Sequence, residues 1–293
     1  MRTKSFFPWL FSGLSLFPLG SDFNKDSEED NEEWKEEESS WKRFTQVIHA
    51  LFIRQLQVRL AGELSGLVWV VLQPLLMIIL FTLMHTVIRG RSSSTYDIIV
   101  FMGSGIVPFF LFRTILQTSL NVFMSNKKLY IHPRVKPIDA FVANVILETS
   151  IYAIVTIILL ILAIVFGANV VPENFDWVVV GIIWLIIFGM SWGLFLGVIN
   201  VFYPVVAKVI SFFSFPLLIL SAVFFPVSAL PPIAREWIMY NPVAHFMELI
   251  HGAYIPSLDI RYVHFEYMVE WTMIPLFFGL WLYTKSERKY IAQ

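Results

Sequence analysis

IDAFVANVILETSIYAIVTIILLILAIVF, residues 138–166, runs for 29 positions with two charged side chains, Asp139 at its edge and Glu148 inside. A helix of about 20 apolar residues is enough to cross the hydrocarbon core of a bilayer. This stretch is longer than that, and it is not alone. Comparable runs are predicted at about 65–88, 98–121, 177–200, 206–227 and 266–284, which makes six spans in all. The chain as a whole agrees: 57% of its residues are hydrophobic, 15% are charged, and the mean hydropathy is +0.69. A soluble domain carries about 25% charged residues. The fold class expected is therefore an all-α polytopic membrane protein.

Immediately before the quoted run lies SNKKLYIHPRVKPIDAF, residues 125–141, with Lys127, Lys128, Arg134 and Lys136 between two apolar stretches. Lys and Arg close to span ends are retained on the cytoplasmic side. With this loop inside, the same side collects Arg54 and Arg59 before the first span and Lys285, Arg288 and Lys289 after the last. The opposite side holds Arg89, Arg91, Arg235 and Arg261. Both termini are accordingly expected in the cytoplasm of a cell with the chain in its plasma (inner) membrane.

Four regions follow. Residues 1–43 form a tail whose segment 21–40 holds ten Asp and Glu against two Lys, a composition that repels itself and does not build a core. Residues 44–64 are predicted as an amphipathic helix at the membrane surface, with Phe44, Val47, Ile48, Leu51 and Phe52 on one face and Arg54 and Arg59 toward headgroups. Residues 65–284 make the transmembrane domain, and 285–293 a short basic tail. Between the fifth and sixth spans, VSALPPIAREWIMYNPVAHFMELIHGAYIP (227–256) contains two apolar segments too short to cross, broken by prolines. A re-entrant hairpin on the outer side is the expectation.

Two charges sit inside spans. Arg113 and Glu148 lie at similar helical distances from the inner ends of the second and third spans, and a lone intramembrane charge costs roughly 2.5–3.5 kcal/mol on insertion scales. An Arg113–Glu148 ion pair is predicted, with Arg113 facing a pore as the alternative. Aromatic residues are abundant, and Trp177, Trp271, Tyr267 and Tyr283 near span ends suit interfacial anchoring.

Catalytic chemistry is hard to place. The chain has no cysteine and no G-x-x-x-x-G-K-[ST] loop, so it is not expected to bind nucleotide through a P-loop of its own. His245 and His251 lack the i,i+4 spacing of a zinc helix, and no metal, catalytic residue or nucleic-acid partner is expected.

The stretch LAGELSGLVWVVLQPLLM (60–77), preceded by Arg59 and containing Gly66, Trp69, Pro74 and Leu75, resembles the entry of polysaccharide-exporting ATP-binding-cassette permeases of the type-2 exporter family. The second span with Arg113, the segment LYIHPRVKPIDAFVANVILE, and FFPVSALP with NPVAHFMELIHGAY extend the likeness over about 44–284. His245, Glu248, His251 and Gly252 are more similar to the capsular polysaccharide group than to O-antigen or teichoic-acid permeases. The resemblance implies a homodimer of six-span subunits joined to two copies of a separate ATPase that holds ATP and Mg, exporting a lipid-linked polysaccharide through membrane lipid. It implies a cytoplasmic coupling helix in the loop of Lys127, Lys128, Leu129, Tyr130, His132, Pro133, Arg134 and Lys136. Arg113, Trp69 and Trp192 become candidates for contact with an acidic polymer, and His245, Glu248 and His251 for an outer gate. Periplasmic co-polymerase and outer-membrane export proteins are left open as partners. A membrane enzyme acting on lipid-linked sugars and a non-transporting scaffold are the rival classes. The acidic tail departs from the family.

Overall fold

The computed structural model describes residues 40–62, 64–89, 97–125, 135–258 and 260–292, with backbone alone at 40–42, 60–62, 64–67, 88–89 and 287–292. Among the described residues the chain is all-helical: α1 (Ser40–Gly62), α2 (Leu64–Arg89), α3 (Ile98–Ser125), α4 (Pro137–Val165), α5 (Phe175–Phe202), α6 (Val205–Leu220), α7 (Pro232–Met239), α8 (Pro242–Tyr254) and α9 (Phe265–Ala292), with a 3-10 turn at Val227–Ala229. The compact unit runs from Phe44 to Gln293.

Among the described residues, four helices are long and apolar enough to cross a membrane: Val68–Val87 within α2, and α3, α4 and α5. In length α6 falls short of them, at 16 residues, or about 24 Å against roughly 30 Å of hydrocarbon. The sequence placed its end near 227; the helix stops at Leu220. The cause is tertiary. Asn241 donates from Nδ2 to the Leu220 carbonyl (3.0 Å) and to Ser221 Oγ (2.9 Å), and Ala222 turns the chain with a left-handed φ of 56°. At the far end, α9 continues as helix through the residues expected to form a basic tail.

The centre of the structure is α3, whose span is the most buried of the four. Its closest partner is α5; α4 packs on another side, with α2 and α6 also against it, while α9 lies on α5 and α8 wedges between α3 and α5. The α3–α5 contact is made by glycine. A Cβ on Gly189 would meet Phe112 at 3.3 Å, one on Gly193 would meet Ser119 Oγ at 2.8 Å, and one on Gly197 would meet the Ser119 carbonyl at 2.7 Å. These glycines recur every four residues, so they share one helix face. Gly279 brings α9 equally close to the α5 backbone at Phe195, 3.0 Å from where a Cβ would stand. Small residues let helices approach in lipid, where no difference in apolarity drives them together.

Polar side chains then cross the same seams. Asn200 Nδ2 donates to the Leu120 carbonyl (2.8 Å), Asn144 Nδ2 to Thr118 Oγ1 (2.8 Å), Gln117 Nε2 to Ser214 Oγ (3.0 Å) and Trp184 Nε1 to Thr272 Oγ1 (3.2 Å). Each bond of this kind is worth about 0.6 kcal/mol on average in a membrane protein. The four join α3, α4, α5, α6 and α9 into one frame.

Gly197→Ala should cost about 1–3 kcal/mol, because the added methyl meets backbone that cannot rotate away. Gly103→Ala, where a Cβ has nothing within 4 Å, should be neutral or slightly stabilising. Thermal melting of the two purified variants in detergent checks the contrast; equal melting would remove the glycine seam as the basis of α3–α5 packing.

Candidate functional site

Glu148 is 1% exposed, on the face of α4 that meets α1. Its partner is Arg59, whose Nη1 donates to Glu148 Oε1. The predicted Arg113–Glu148 pair is therefore replaced by Arg59–Glu148. Depth along neighbouring spans matched Arg113 to Glu148, but direction did not: the α1 side chain reaches the carboxylate from 89 positions upstream. A second tie runs beside it, from Gln55 Nε2 to the Ala140 carbonyl at 3.2 Å. Together they fasten α1 along α4, while Leu51 is buried and Val47 and Ile48 pack on the core.

Arg113 has a different setting. Its guanidinium lies 5.6 Å from the Phe110 ring centroid, and its Nε is buried without a hydrogen-bond partner among the described residues. The adjacent Thr114 shares a hydrogen bond of 3.0 Å with the Tyr152 hydroxyl of α4. The other two polymer-contact candidates lie elsewhere. Trp69 is exposed on α2. Trp192 stacks on Trp271 of α9, with ring centroids 5.8 Å apart, and serves packing between α5 and α9.

Of the residues predicted for an outer gate none lies on an open surface: His245, Glu248 and His251 are all buried on α8, and each meets a different neighbour. His245 uses both ring nitrogens. Nδ1 accepts from the His264 amide (3.1 Å), so Nε2 carries the proton it gives to the Met239 carbonyl (2.9 Å). One ring thus clamps the end of α7 to the approach of α9. Glu248 Oε2 accepts the Val227 amide at 3.2 Å. His251 stacks on Phe101 of α3, centroids 4.1 Å apart, and its Nε2 lies 2.6 Å from where a Cβ on Gly105 would be. Burial pushes its pKa down to about 3, and the Phe101 backbone acts more weakly in the opposite direction. His245 is also lowered, chiefly by burial.

Two hairpin residues were not singled out from sequence. Arg235 gathers the Val227, Ser228 and Leu230 carbonyls and donates to the Tyr262 hydroxyl at 2.8 Å. Asn241 caps both α6 and, through Oδ1 to the Val243 amide, α8. The Asn-Pro dipeptide at a helix start is a readable N-cap signal; the Arg235 clasp leaves no mark in sequence. Beside α8 a cleft of about 460 Å³ is lined by Glu173, Asn174 and Trp177 among others.

Of the proposed coupling residues, Lys136 is exposed, and its amide donates to Asp139 Oδ2 (2.9 Å) at the start of α4. Lys127, Lys128, Leu129, Tyr130, His132, Pro133 and Arg134 lie outside the described residues, as does the acidic segment before residue 40.

Long apolar helices joined by glycine contact, with an ion pair buried among them, define a helical membrane-embedded class of protein. The sequence model of the ABC-2 type transporter matches residues 46–255, and the chain belongs to that family. It is 30% identical over 241 residues to the polysialic acid transport protein KpsM of Escherichia coli, covering 82% of this chain and 93% of that one. Against the capsule polysaccharide export inner-membrane protein CtrC of Neisseria meningitidis serogroup B the identity is 27%, over 83% and 91% of the two chains. For BexB of Haemophilus influenzae, of the same description, it is 25%, over 80% and 88%.

The ion pair is lopsided, since Arg59 is 28% exposed and Glu148 is 1%. Arg59→Gln strands a buried carboxylate and should cost about 3–5 kcal/mol, whereas Glu148→Gln leaves a cation able to reach water and should cost less. The double variant should recover part of the Arg59→Gln loss. Melting temperatures of the three proteins check this double-mutant cycle.

His251 gives a pH dependence of defined sign. Below about pH 6.5 the unfolded chain takes a proton at this position, which the folded chain refuses until about pH 3. Stability should hold above pH 6.5 and fall through that window as pH drops, by up to ~1 kcal/mol per pH unit for one such group. His251→Asn should melt lower at pH 7.5 yet show a shallower slope toward pH 4.5.

Proposed function

We propose that the chain is the permease subunit of an ATP-driven exporter that moves a lipid-linked, acidic capsular polysaccharide across the inner membrane. The subunit spans the membrane six times with both termini cytoplasmic, α2 to α6 and α9 being the spans and α1 lying in the inner interface. The segment from Ser221 to His264 forms the outer re-entrant hairpin. Two copies pair with two copies of a separate ATPase that carries ATP and Mg, and the loop of Lys127, Lys128, Arg134 and Lys136 receives the ATPase motion. Support comes above all from one observation: the likeness to a polysialic acid transport protein and to a capsule polysaccharide export inner-membrane protein runs over more than four-fifths of the chain and about nine-tenths of each relative.

The fold supports a division of labour. Arg59 and Gln55 fasten α1 to α4, and α4 begins directly after the coupling loop. Movement of that loop therefore carries α1 and α4 together. At the other end, His245 and Arg235 hold the hairpin as one piece, and α8 lies against α3 and α5. The hairpin shifts as a unit when those spans shift, and it controls the exit by position rather than by gripping the polymer with its buried histidines.

Replacing Lys127, Lys128, Arg134 and Lys136 together by Gln should leave the chain in the membrane but cut co-purification with its ATPase and glycan-stimulated hydrolysis at least tenfold, since loss of interface charge lowers association. Unchanged co-purification and export would overturn the assignment of that loop. Export by the chain without any ATPase would overturn the exporter reading.

A further inference from the structure

The exposed positions of a span report what that span faces. Leu80 and Leu83 of α2, Ile157 and Ile161 of α4, and Ile183 and Ile187 of α5 are exposed and apolar, as contact with lipid requires. The inner half of α3 is the reverse. From Gly105 to Phe123 every apolar residue is buried, and the positions that are not buried are Arg113, Thr114, Gln117, Thr118 and Asn121, all polar.

The two threonines are spent on α4: Thr114 meets the Tyr152 hydroxyl, and Thr118 Oγ1 accepts from Asn144. The other three recur every four residues, so they stack along one face, about 12 Å from Asn121 to Arg113. Their hydrogen-bonding capacity is open. Gln117 gives an Nε2 proton to Ser214 of α6, but its Oε1 is neither bonded nor enclosed. Asn121 is exposed, and its side chain bonds to none of the described residues. Of the Arg113 guanidinium only Nε is enclosed, and neither Nη has a hydrogen-bond partner among the described residues.

Groups of this kind are costly against hydrocarbon, so an unmet row of them on a span faces water or a polar guest. Carboxamides exchange hydrogen bonds with hydroxyls, and a guanidinium pairs with carboxylate or phosphate oxygens. Hydroxylated rings that carry anionic groups offer both; a lipid tail offers neither.

We infer that this strip is a wet wall of the polymer's inner path, on which Asn121 and Gln117 meet sugar hydroxyls and Arg113 meets an anionic group at mid-membrane. The identity of the guest, and the inner position of Asn121, rest on the permease reading; the wetness of the wall rests on α3 itself.

The chain has no cysteine, so single thiols can be read without background. Asn121→Cys, Gln117→Cys and the lipid-facing Ile157→Cys are placed in the full chain with its ATPase, in inverted membrane vesicles without glycan or ATP. A membrane-impermeant methanethiosulfonate attacks thiolates, and thiols ionise in water rather than in lipid. Asn121→Cys and Gln117→Cys should react at least tenfold faster than Ile157→Cys. At Gln117→Cys an anionic sulfonate reagent should outpace a cationic ammonium reagent about fivefold, each normalised to its rate with free cysteine, and Arg113→Gln should abolish that preference. Asn121→Leu should keep the melting temperature and lower export of the acidic polymer about tenfold.

Rates no faster than that of Ile157→Cys would overturn the wall, whether lipid or a second copy covers it. A preference that is missing, or that survives Arg113→Gln, would overturn the role of Arg113, and unchanged export by Asn121→Leu would overturn the polymer contact. Should Gln117→Cys fail to fold for want of its bond to Ser214, Asn121→Cys, which gives up no bond, decides. Absence of export by the parent with its ATPase would count against the exporter reading, and the thiol rates would still decide the wall.

Discussion

The approach of α3 to α5 is the constraint on which the other arrangements rest. In water, two amphipathic helices meet because their apolar faces leave the solvent; in a bilayer the lipid tails are as apolar as the faces, and that drive is absent. What remains is contact quality. Gly189, Gly193 and Gly197 let the α5 backbone settle onto Phe112, Ser119 and Phe123 of α3, and Asn200 then reaches the Leu120 carbonyl. Move these helices apart by the width of a methyl group and the hydrogen bond lengthens beyond use. The wedge of α8 loosens as well, because Gly181 of α5 and Gly105 of α3 are the surfaces on which Ile250 and His251 lie.

The charged residues repeat this logic. An ion pair in water is worth little; one held out of water must be close, hydrogen-bonded and matched. Arg59 reaches Oε1 of Glu148 where Gln55 and Leu51 also hold α1 in place, Gln55 on the Ala140 carbonyl and Leu51 in the core. The pair is thus a consequence of packing as much as a cause of it. It also joins the helix at the proposed inner interface to a membrane span by a single strong contact, which suits the transmission of motion from one to the other.

Much of this was legible in the sequence. Spans α3, α4 and α5 were placed nearly in register because hydropathy reports directly on the solvent that surrounds a helix. The two short helices α7 and α8 were legible because Pro232 and Pro242 stand at their first positions, where proline is favoured, whereas Pro74, Pro108, Pro216 and Pro275 lie inside α2, α3, α6 and α9 without ending them. The glycine spacing of α5, G-x-x-x-G-x-x-x-G, was equally readable and was passed over. Other features were not written locally. The end of α6 is set by Asn241, twenty-one positions on, and the partner of Glu148 lies on a helix outside the run of spans. Sequence gives depth along each helix but not the direction a side chain faces, so it matched Arg113 to Glu148 when geometry matched Arg59.

That exchange of partners changes what the buried charges imply. Had Arg113 and Glu148 neutralised each other, the pair would join α3 to α4 and leave α1 without its ionic tie. With Glu148 taken by α1, Arg113 stays half-buried over the Phe110 ring, its Nε enclosed without a partner among the described residues. Desolvating it fully is unfavourable at that depth. The pairing that fastens the frame and the cation that stands apart from it are thereby assigned to different helices, α1 with α4 for the first and α3 for the second.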